Sequence, residues 1–210
     1  MIEYQKIDNL YEFDIGAKRY IIKFHSPIVE YLKDVPWIGT EKIDGTNIRI
    51  HWDGYEFEIA GRTSKSDVPK EIQEIFKKKF DSDMEVIFEQ KFGKKDVILF
   101  CEGYGGKIQN GAYDCETSLI GFDVMVNDMY LDKFEAKSIF EELGIDFVPM
   151  TIFANLGEAI KYVQEHSQSI KHPTCALEGL VCAPAVRIYD VNGKRVIVKI
   201  KGRELKKVKE

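Results

Sequence analysis

Lys42 is the residue of this sequence best placed to do covalent chemistry. It precedes Asp44 and Gly45, which favour a turn, and residues 47–52 then alternate in polarity as a strand does. A lysine amine is a nucleophile when it is unprotonated, and partial burial or nearby positive charge favours that form. Lys42 is therefore a candidate covalent nucleophile at the entry to a predicted hairpin.

Five further motifs follow Lys42 in order. They are Gly61-Arg62-Thr63, Phe100-Cys101-Glu102-Gly103, Gly121-Phe122-Asp123-Val124, Leu177-Glu178-Gly179-Leu180-Val181 and Val198-Lys199-Ile200-Lys201. From about residue 4 to residue 201, their order and spacing resemble those of the covalent nucleotidyltransferases, which comprise ATP-dependent DNA and RNA ligases and mRNA-capping guanylyltransferases. Residues 41–47 are most similar to the RNA ligase 2 group, which often has histidine where this chain has Asp44.

Lys199 and Lys201 are candidates to stabilise phosphate charge. Because they lie two residues apart on a predicted strand, both side chains point to one face of it. That face would present two ammonium groups to the α-phosphate of a nucleoside triphosphate. A solvated strand face is the alternative interpretation of an isolated Lys-x-Lys pair.

Glu178 is the candidate metal ligand. It lies within the apolar segment 176–181, where an unpaired carboxylate is costly to bury. Magnesium takes few protein carboxylates and keeps several waters, so Glu178 is expected to hold Mg²⁺ or Mn²⁺ beside the phosphates. A structural salt bridge is the alternative.

The resemblance implies roles for further residues. Glu102 would bind ribose hydroxyls, and Phe122 would stack on adenine, although a core phenylalanine explains Phe122 equally well. Asn47 and Arg62 would contact nucleotide or substrate phosphates, which a planar guanidinium suits. Asp44 is expected to shape the turn. The implied nucleotide-binding set is Glu41, Lys42, Ile43, Asn47, Arg62, Glu102, Phe122, Glu178, Lys199 and Lys201, with Lys42, Lys199 and Lys201 as the catalytic residues.

The expected fold is an α+β nucleotidyltransferase domain of antiparallel sheets flanked by helices. Its predicted strands cover residues 48–52, 55–59, 97–101, 119–126, 180–183, 186–191 and 195–200, and 48–52 reads as half-buried. Helices are predicted after Asp67, after Asp132 with a Glu135 capping box, and from Leu156. Residues 107–118 read as a loop near substrate.

Length and composition favour one domain over residues 1–210, without an appended C-terminal OB-fold or helical domain. No apolar run approaches the ~20 residues of a membrane span, and the start of the chain lacks a signal peptide pattern. We therefore expect a cytoplasmic protein with no membrane partner.

The net charge of −5 excludes a basic nucleic-acid coat, so any polynucleotide contact must be local. Two basic clusters are available, each either solvated or phosphate-facing. One contains Lys77, Lys78, Lys79, Lys91, Lys94 and Lys95, and the other contains Lys199, Lys201, Arg203, Lys206, Lys207 and Lys209.

Three functional interpretations follow. The first is an ATP-dependent RNA ligase, with a role in RNA repair, that acts on RNA or nicked duplex ends, with a partner protein supplying a missing clamp domain. The second is a DNA ligase or a GTP-using capping enzyme. The third is a non-catalytic module that binds nucleotide or nucleic-acid ends.

Overall fold

The computed structural model describes residues 1–16, 18–63 and 65–208. Two compact units make up the fold: unit 1 is Met1–Tyr4 with Asp44–Phe147, and unit 2 is Gln5–Ile43 with Val148–Glu210. The chain passes from unit 2 to unit 1 directly after Ile43, one residue beyond Lys42. The predicted α+β class with mainly antiparallel sheets is confirmed.

The elements of the described residues are given in chain order. They are β1 (Asp8–Asn9), β2 (Tyr11–Asp14), β3 (Arg19–Phe24), α1 (Pro27–Tyr31), β4 (Trp37–Glu41), β5 (Thr46–Trp52), β6 (Phe57–Ala60), α2 (Lys70–Lys79), α3 (Ser82–Phe92), β7 (Val97–Tyr104), a 3-10 turn (Ile108–Asn110), β8 (Ser118–Val126), β9 (Met129–Tyr130), α4 (Lys133–Glu142), β10 (Asp146–Phe147), β11 (Met150–Phe153), α5 (Leu156–Glu165), β12 (Gly179–Pro184), β13 (Val198–Lys201) and α6 (Gly202–Leu205).

Unit 2 is built on a five-stranded sheet of order β1-β13-β12-β4-β11. Its core joins Trp37 of β4, Leu180 of β12 and Ile200 of β13 to the apolar face of α5. The antiparallel register pairs Leu180 with both Glu41 and Ile200. This register brings the ends of β4, β12 and β13 together, and the predicted site residues Glu41, Lys42, Glu178 and Lys201 lie there.

Unit 1 is built on a sheet of order β10-β8-β7-β5-β6, with β9 also paired to β8. Ile48 and Ile50 of β5 and Leu99 of β7 face a core shared with α2, α3 and α4. The opposite face carries Phe100 and a second, aromatic cluster. The sheet is therefore packed on both sides over much of its area.

Strand β5 corrects one expectation from the sequence. Its alternation predicted a half-buried strand, yet Arg49 is only 2% exposed and His51 9% exposed. His51 Nε2 lies 2.7 Å from Asp96 Oδ2, and Arg49 is held by backbone carbonyls. Polar partners, rather than solvent, satisfy the polar face of this strand.

Two of the three helix predictions were confirmed, and both of those helices begin after a side-chain cap. The capping box of Asp132 and Glu135 begins α4 as predicted, and α5 begins at Leu156 after an Asn155 cap. Asp67 was wrong as a cap, because α2 begins at Lys70 after Pro69 and has no side-chain cap. Helix α3, capped by Asp81, was not predicted.

One strand prediction was wrong. Residues 186–191 form no strand in the described chain and make one isolated bridge, between Tyr189 and Arg195. Val186 and Val191, which suggested that strand, are exposed. Among the described residues, no helix is long and apolar enough to cross a membrane.

Candidate active site

Lys42 follows the last residue of β4 and is held in place by strand β12. Its backbone N–H donates to Gly179 O at 3.0 Å. Its Nζ lies 2.6 Å from Glu178 Oε2, with 24% of the side chain exposed. The predicted nucleophile and the predicted metal ligand are therefore direct partners in unit 2.

Glu178 is bound by two lysines at once. Its other oxygen, Oε1, lies 2.8 Å from Lys201 Nζ, and the glutamate side chain is 13% exposed. Burial by itself raises the pKa of Glu178, but Lys42 and Lys201 outweigh burial and lower the pKa below its ordinary value. The carboxylate is thus held ionised between two ammonium groups.

Gly179 allows Glu178 to reach Lys201. Its φ is +154°, and a side chain there would collide with the carbonyl oxygen of Ile200. Glycine lets β12 approach β13 closely at this point. The backbone N–H of Gly202 also donates to Glu178 O at 3.2 Å, which ties the two strand ends together.

Lys199 lies on the same face of β13 as Lys201, as the two-residue spacing predicted. Its Nζ donates to Ile7 O at 2.9 Å instead of pairing with Glu178. Burial, followed by the positive charge of Lys201, lowers the pKa of Lys199. Lys199 therefore adds positive charge beside the site without joining the ion pair.

Glu41 organises the segment that precedes Glu178. Its buried carboxylate accepts a hydrogen bond from the Ser169 hydroxyl and from the N–H groups of Ile170 and Lys171, the latter two at 3.0 Å. Nothing in the local sequence identifies Ser169 as a partner of Glu41. The one available signal was a glutamate near the apolar residues Trp37, Ile38 and Ile43, since a carboxylate that is buried requires partners.

In unit 1, Asn47 and Glu102 are cross-strand neighbours on β5 and β7. Both side chains lie on the sheet face opposite Ile48. Asn47 Oδ1 is buried and has no hydrogen-bond partner within the described part of the chain. Buried polar atoms nearly always have a hydrogen-bond partner, so a buried oxygen that lacks one can accept a hydrogen bond from a ligand.

Phe122 belongs to an aromatic cluster of unit 1. Its ring meets Tyr4 edge-on, with centroids 5.0 Å apart, and lies near Phe100. The Tyr4 hydroxyl donates to Asp123 Oδ2 at 2.8 Å, which fixes the cluster. Phe122 is partly buried, so it has a packing role and also retains exposed surface.

The turn after Lys42 is held by residues that the sequence did not single out. Asp44 N–H donates to the Tyr113 hydroxyl at 3.0 Å, and Gln109 Nε2 donates to Gly45 O at 2.8 Å. A side chain at Gly45 would collide with Gly103 O, so glycine is required there. Asp44 lies in the turn, where the sequence analysis placed it.

Arg62 is exposed just after β6, in a segment anchored by Arg49. Arg49 Nε donates to Gly61 O at 2.8 Å, and its Nη1 donates to Ile2 O at 2.8 Å. Ile43, at the boundary of the units, is 3% exposed. Arg49 was missed because an arginine in an alternating strand normally reads as a solvent-facing residue.

The donor set limits how a metal ion would be held. No group of three or more His, Cys, Asp or Glu residues suited to a metal occurs among the described residues. Glu178 contributes a single carboxylate, and magnesium commonly combines one or two carboxylates with water and phosphate oxygens. Glu178 therefore fits an ion that arrives with phosphate ligands.

Comparison with solved structures supports the fold. A Naegleria gruberi RNA ligase mutant with ATP and Mn has a TM-score of 0.64 and 18% identity, covering 96% of this chain and 60% of that one. Another mutant, with AMP and Mn, has a TM-score of 0.63 and 18% identity, covering 96% and 61%. The same ligase with PPi has a TM-score of 0.62 and 19% identity, covering 96% and 61%.

This chain thus spans about 60% of the length of these solved structures. No curated protein sequence matches it. The sequence model of the RNA ligase family matches residues 35–201, which include every motif from Lys42 to Lys201. The chain therefore belongs to the RNA ligase family.

Proposed function

We propose that this protein is an ATP-dependent RNA ligase that works through a covalent lysyl-AMP on Lys42. AMP would then pass to the 5′-phosphate of an RNA strand, and an adjacent 3′-hydroxyl would displace it to seal the strand. The observation that carries the proposal is the cluster of Lys42, Glu178 and Lys201. Lys42 Nζ lies 2.6 Å from one Glu178 carboxylate oxygen, and Lys201 Nζ lies 2.8 Å from the other. The match of residues 35–201 to the RNA ligase family supports it.

The first step forms a bond between Lys42 Nζ and the α-phosphorus of ATP. The bond from that phosphorus to the bridging oxygen of the β-phosphate breaks, pyrophosphate leaves, and the amine loses a proton. Lys42 attacks only as a free amine, so its ion pair with Glu178 must open first. Lys199 and Lys201 remain to stabilise charge on the transferring phosphoryl group.

Glu178 is the residue of this chain that would hold Mg²⁺ or Mn²⁺. When bound, such an ion would neutralise phosphate charge as pyrophosphate departs. Moving Glu178 from Lys42 to an incoming cation would also release the lysine from its ion pair. The same carboxylate thus serves both partners at different stages.

The nucleotide would be read by residues of unit 1. The unpartnered Oδ1 of Asn47 supports binding of a hydrogen-bond donor, and Glu102 on the neighbouring strand suits ribose hydroxyls. Phe122 would offer its exposed surface to the adenine, and Arg62 would reach a phosphate. In unit 2, Glu41 fixes the segment 169–171 and lies next to Lys42 in the chain.

We also propose that both units belong to one nucleotidyltransferase domain, since the family match includes residues of each. ATP as the nucleotide is consistent with the Naegleria gruberi ligase structures with ATP and Mn. A partner protein would supply an additional RNA-binding surface.

The decisive test is incubation with α-labelled ATP and magnesium, followed by a denaturing gel. The wild type is expected to retain the label through denaturation, and Lys42→Ala is expected to lose it completely, because no other residue replaces the nucleophile. Lys161→Ala is the matched control, since Lys161 is an exposed lysine on α5 that pairs with Glu165. It is expected to label like the wild type.

Parallel reactions with α-labelled GTP test the capping alternative. Label from GTP but not from ATP would replace the ligase proposal with a guanylyltransferase. Full labelling of Lys42→Ala would refute the lysyl-AMP on Lys42. Absence of label from either nucleotide, in folded protein free of bound AMP, would favour the binding-module interpretation.

A further inference from the structure

Unit 1 contains an open cavity of about 380 Å³, which we name the Thr46 notch. Cavities that bind small molecules measure roughly 300–1,000 Å³, so the notch has room for one nucleotide unit. Apolar atoms of Pro69 and Ile108 form part of its wall. Its polar lining consists of Thr46, Glu71, Lys107, Gln109, Asn110 and Thr117.

The notch lies on the opposite sheet face from Asn47 and Glu102. Successive residues of a strand point to opposite faces, so Thr46 and Asn47 diverge. Gly103 pairs with Thr46, and a side chain at Gly103 would meet Ile72 of α2. The notch is therefore on the α2 side, separate from the residues assigned to ATP, yet beside the turn that follows Lys42.

The loop that walls the notch has an unusual backbone. Gln109 has a φ of +50° and Asn110 a φ of +58°, and three glycines of the same loop also have positive φ. Left-handed backbone at a non-glycine residue carries a conformational cost that recurs at ligand-binding sites. The hydrogen bond from Gln109 to Gly45, together with buried Tyr113 on Asp44, holds this loop in shape.

The chemistry of the lining suits one nucleotide unit of a strand. Lys107 is exposed, and within the described chain its side chain makes no hydrogen bond or ion pair, so it can meet a phosphate. Asn110 and Thr117 offer an amide and a hydroxyl for ribose hydroxyls or base edges. Glu71 offsets the positive charge of Lys107, so the net formal charge of the lining is zero. A lining with so little positive charge suits the single negative charge of a phosphodiester better than the several charges of a triphosphate.

We propose that the Thr46 notch binds a nucleotide of the RNA substrate that flanks the strand ends to be joined. Lys107 contacts its phosphate, and Asn110 and Thr117 contact its ribose, including the 2′-hydroxyl that distinguishes RNA from DNA. The inference rests on the proposed function for the identity of the strand. It deepens that function by assigning RNA contacts to a surface outside the ATP site.

Direct binding measurements test the notch without relying on catalysis. The probe is a fluorescent nicked RNA duplex with a 5′-phosphate at the nick, titrated without ATP at several salt concentrations and monitored by anisotropy. Lys107→Met removes the charge but keeps the chain length. Asn110→Gly removes the amide at a position whose positive φ glycine adopts without strain.

Lys107→Met is expected to weaken binding by about three- to tenfold. It should also reduce the slope of log affinity against log salt by about one. Asn110→Gly is expected to weaken RNA binding by about the same factor while leaving a deoxy version of the duplex less affected. Lys137→Met, at an exposed lysine of α4 paired with Glu141, is the control and should bind like the wild type.

Self-adenylylation is measured on every variant, so that failure of the ligase proposal can be told apart from failure of the RNA-site proposal. Wild-type labelling together with weakened RNA binding in both notch variants supports the inference. If both notch variants bind as the Lys137→Met control does, the notch is not an RNA site, and the ligase proposal stands. If nothing labels but the notch variants lose RNA affinity, the ligase proposal fails and the notch survives as an RNA-binding site.

Discussion

Glu178 separates two ammonium groups that would otherwise repel each other. Lys42 approaches one carboxylate oxygen and Lys201 the other, and all three side chains are largely buried. A cationic partner was expected for a glutamate in this apolar segment, and the structure supplies two. A divalent cation at Glu178 would therefore have to compete with both lysines.

The pH dependence of stability reports on this arrangement. The pKa of Glu178 is lowered from 4.5, so the ionised glutamate stabilises the folded protein above pH 4.5. That contribution is lost as pH falls from 4.5 through the lower folded-state pKa. Glu178→Gln is expected to cost about 1–3 kcal/mol near neutral pH, because it leaves two lysines without their counter-charge.

Urea unfolding of wild type and Glu178→Gln across pH 3–7 measures this difference. The gap in unfolding free energy should narrow as pH falls below 4.5, since the wild type then loses what the variant already lacks. Glu165→Gln provides a control, because Glu165 is an exposed residue of α5 paired with Lys161. A gap that stays constant with pH would contradict the ionised bridge.

Strand β5 contains a buried arginine that links three segments of backbone. Arg49 donates to carbonyls of Met1, Ile2 and Gly61, and so joins the start of the chain to the segment that carries Arg62. Burial is the main reason that its pKa is lowered. Three backbone carbonyls accept hydrogen bonds from this guanidinium, so its replacement would remove the donor from all three at once.

Arg49→Met is expected to lower the unfolding free energy by about 2–4 kcal/mol, because the carbonyls of Met1, Ile2 and Gly61 lose their donor and the buried guanidinium is lost. Arg62→Ala, thirteen positions later and exposed, should change it by less than about 0.5 kcal/mol. Chemical denaturation of both variants checks the contrast. Equal effects in the two variants would show that the Arg49 hydrogen bonds contribute little to stability.

Helices and strands with strong local signals were predictable, and those without them were not. Helix α4 carries its own capping box, so local sequence defines its start. In α3 the buried residues Phe88 and Phe92 share a face, while Val86 and Ile87 are exposed, which obscures the helical period. Residues 186–191 resembled a strand, but within the described chain their ladder pairing is limited to the single bridge between Tyr189 and Arg195.

At the scale of the whole molecule, the two compact units have separate cores. The predicted site residues divide between them: Glu41, Lys42, Ile43, Glu178, Lys199 and Lys201 lie in unit 2, and Asn47, Arg62, Glu102 and Phe122 lie in unit 1. The residues of unit 2 include the ion-paired cluster of Lys42, Glu178 and Lys201. Those of unit 1 include Asn47 and Glu102, which are neighbours on one sheet face, and Phe122, which belongs to the aromatic cluster.

The basic clusters differ in how they are used. In the cluster around α2 and α3, Lys79 donates to Gly144 O and Lys91 pairs with Glu142 at 2.5 Å. Lys206 and Lys207 are exposed, whereas Lys209 of the same predicted cluster lies outside the described residues. Lys206 and Lys207 are therefore candidates for phosphate contact, as are Lys77 and Lys78 of the other cluster, which are also exposed.

Lys206→Ala combined with Lys207→Ala is expected to weaken RNA binding and to reduce the salt slope by about one to two. Self-adenylylation should be unchanged, because neither residue contacts the Lys42 cluster. Salt-dependent anisotropy and nucleotide labelling measure the two effects. A salt slope equal to that of the wild type would assign these lysines to a solvated tail.

The sequence by itself determined the family, the nucleophile candidate and the elements with strong periodicity. Each of these is recognised from short motifs, caps or periodic stretches, which depend on residues close together in the chain. Tertiary structure alone decided that Glu178 lies between Lys42 and Lys201, that Glu41 holds Ser169 and that Arg49 is buried. These contacts join residues up to 136 positions apart. Strand register and packing select such partners, and neither is encoded in local spacing.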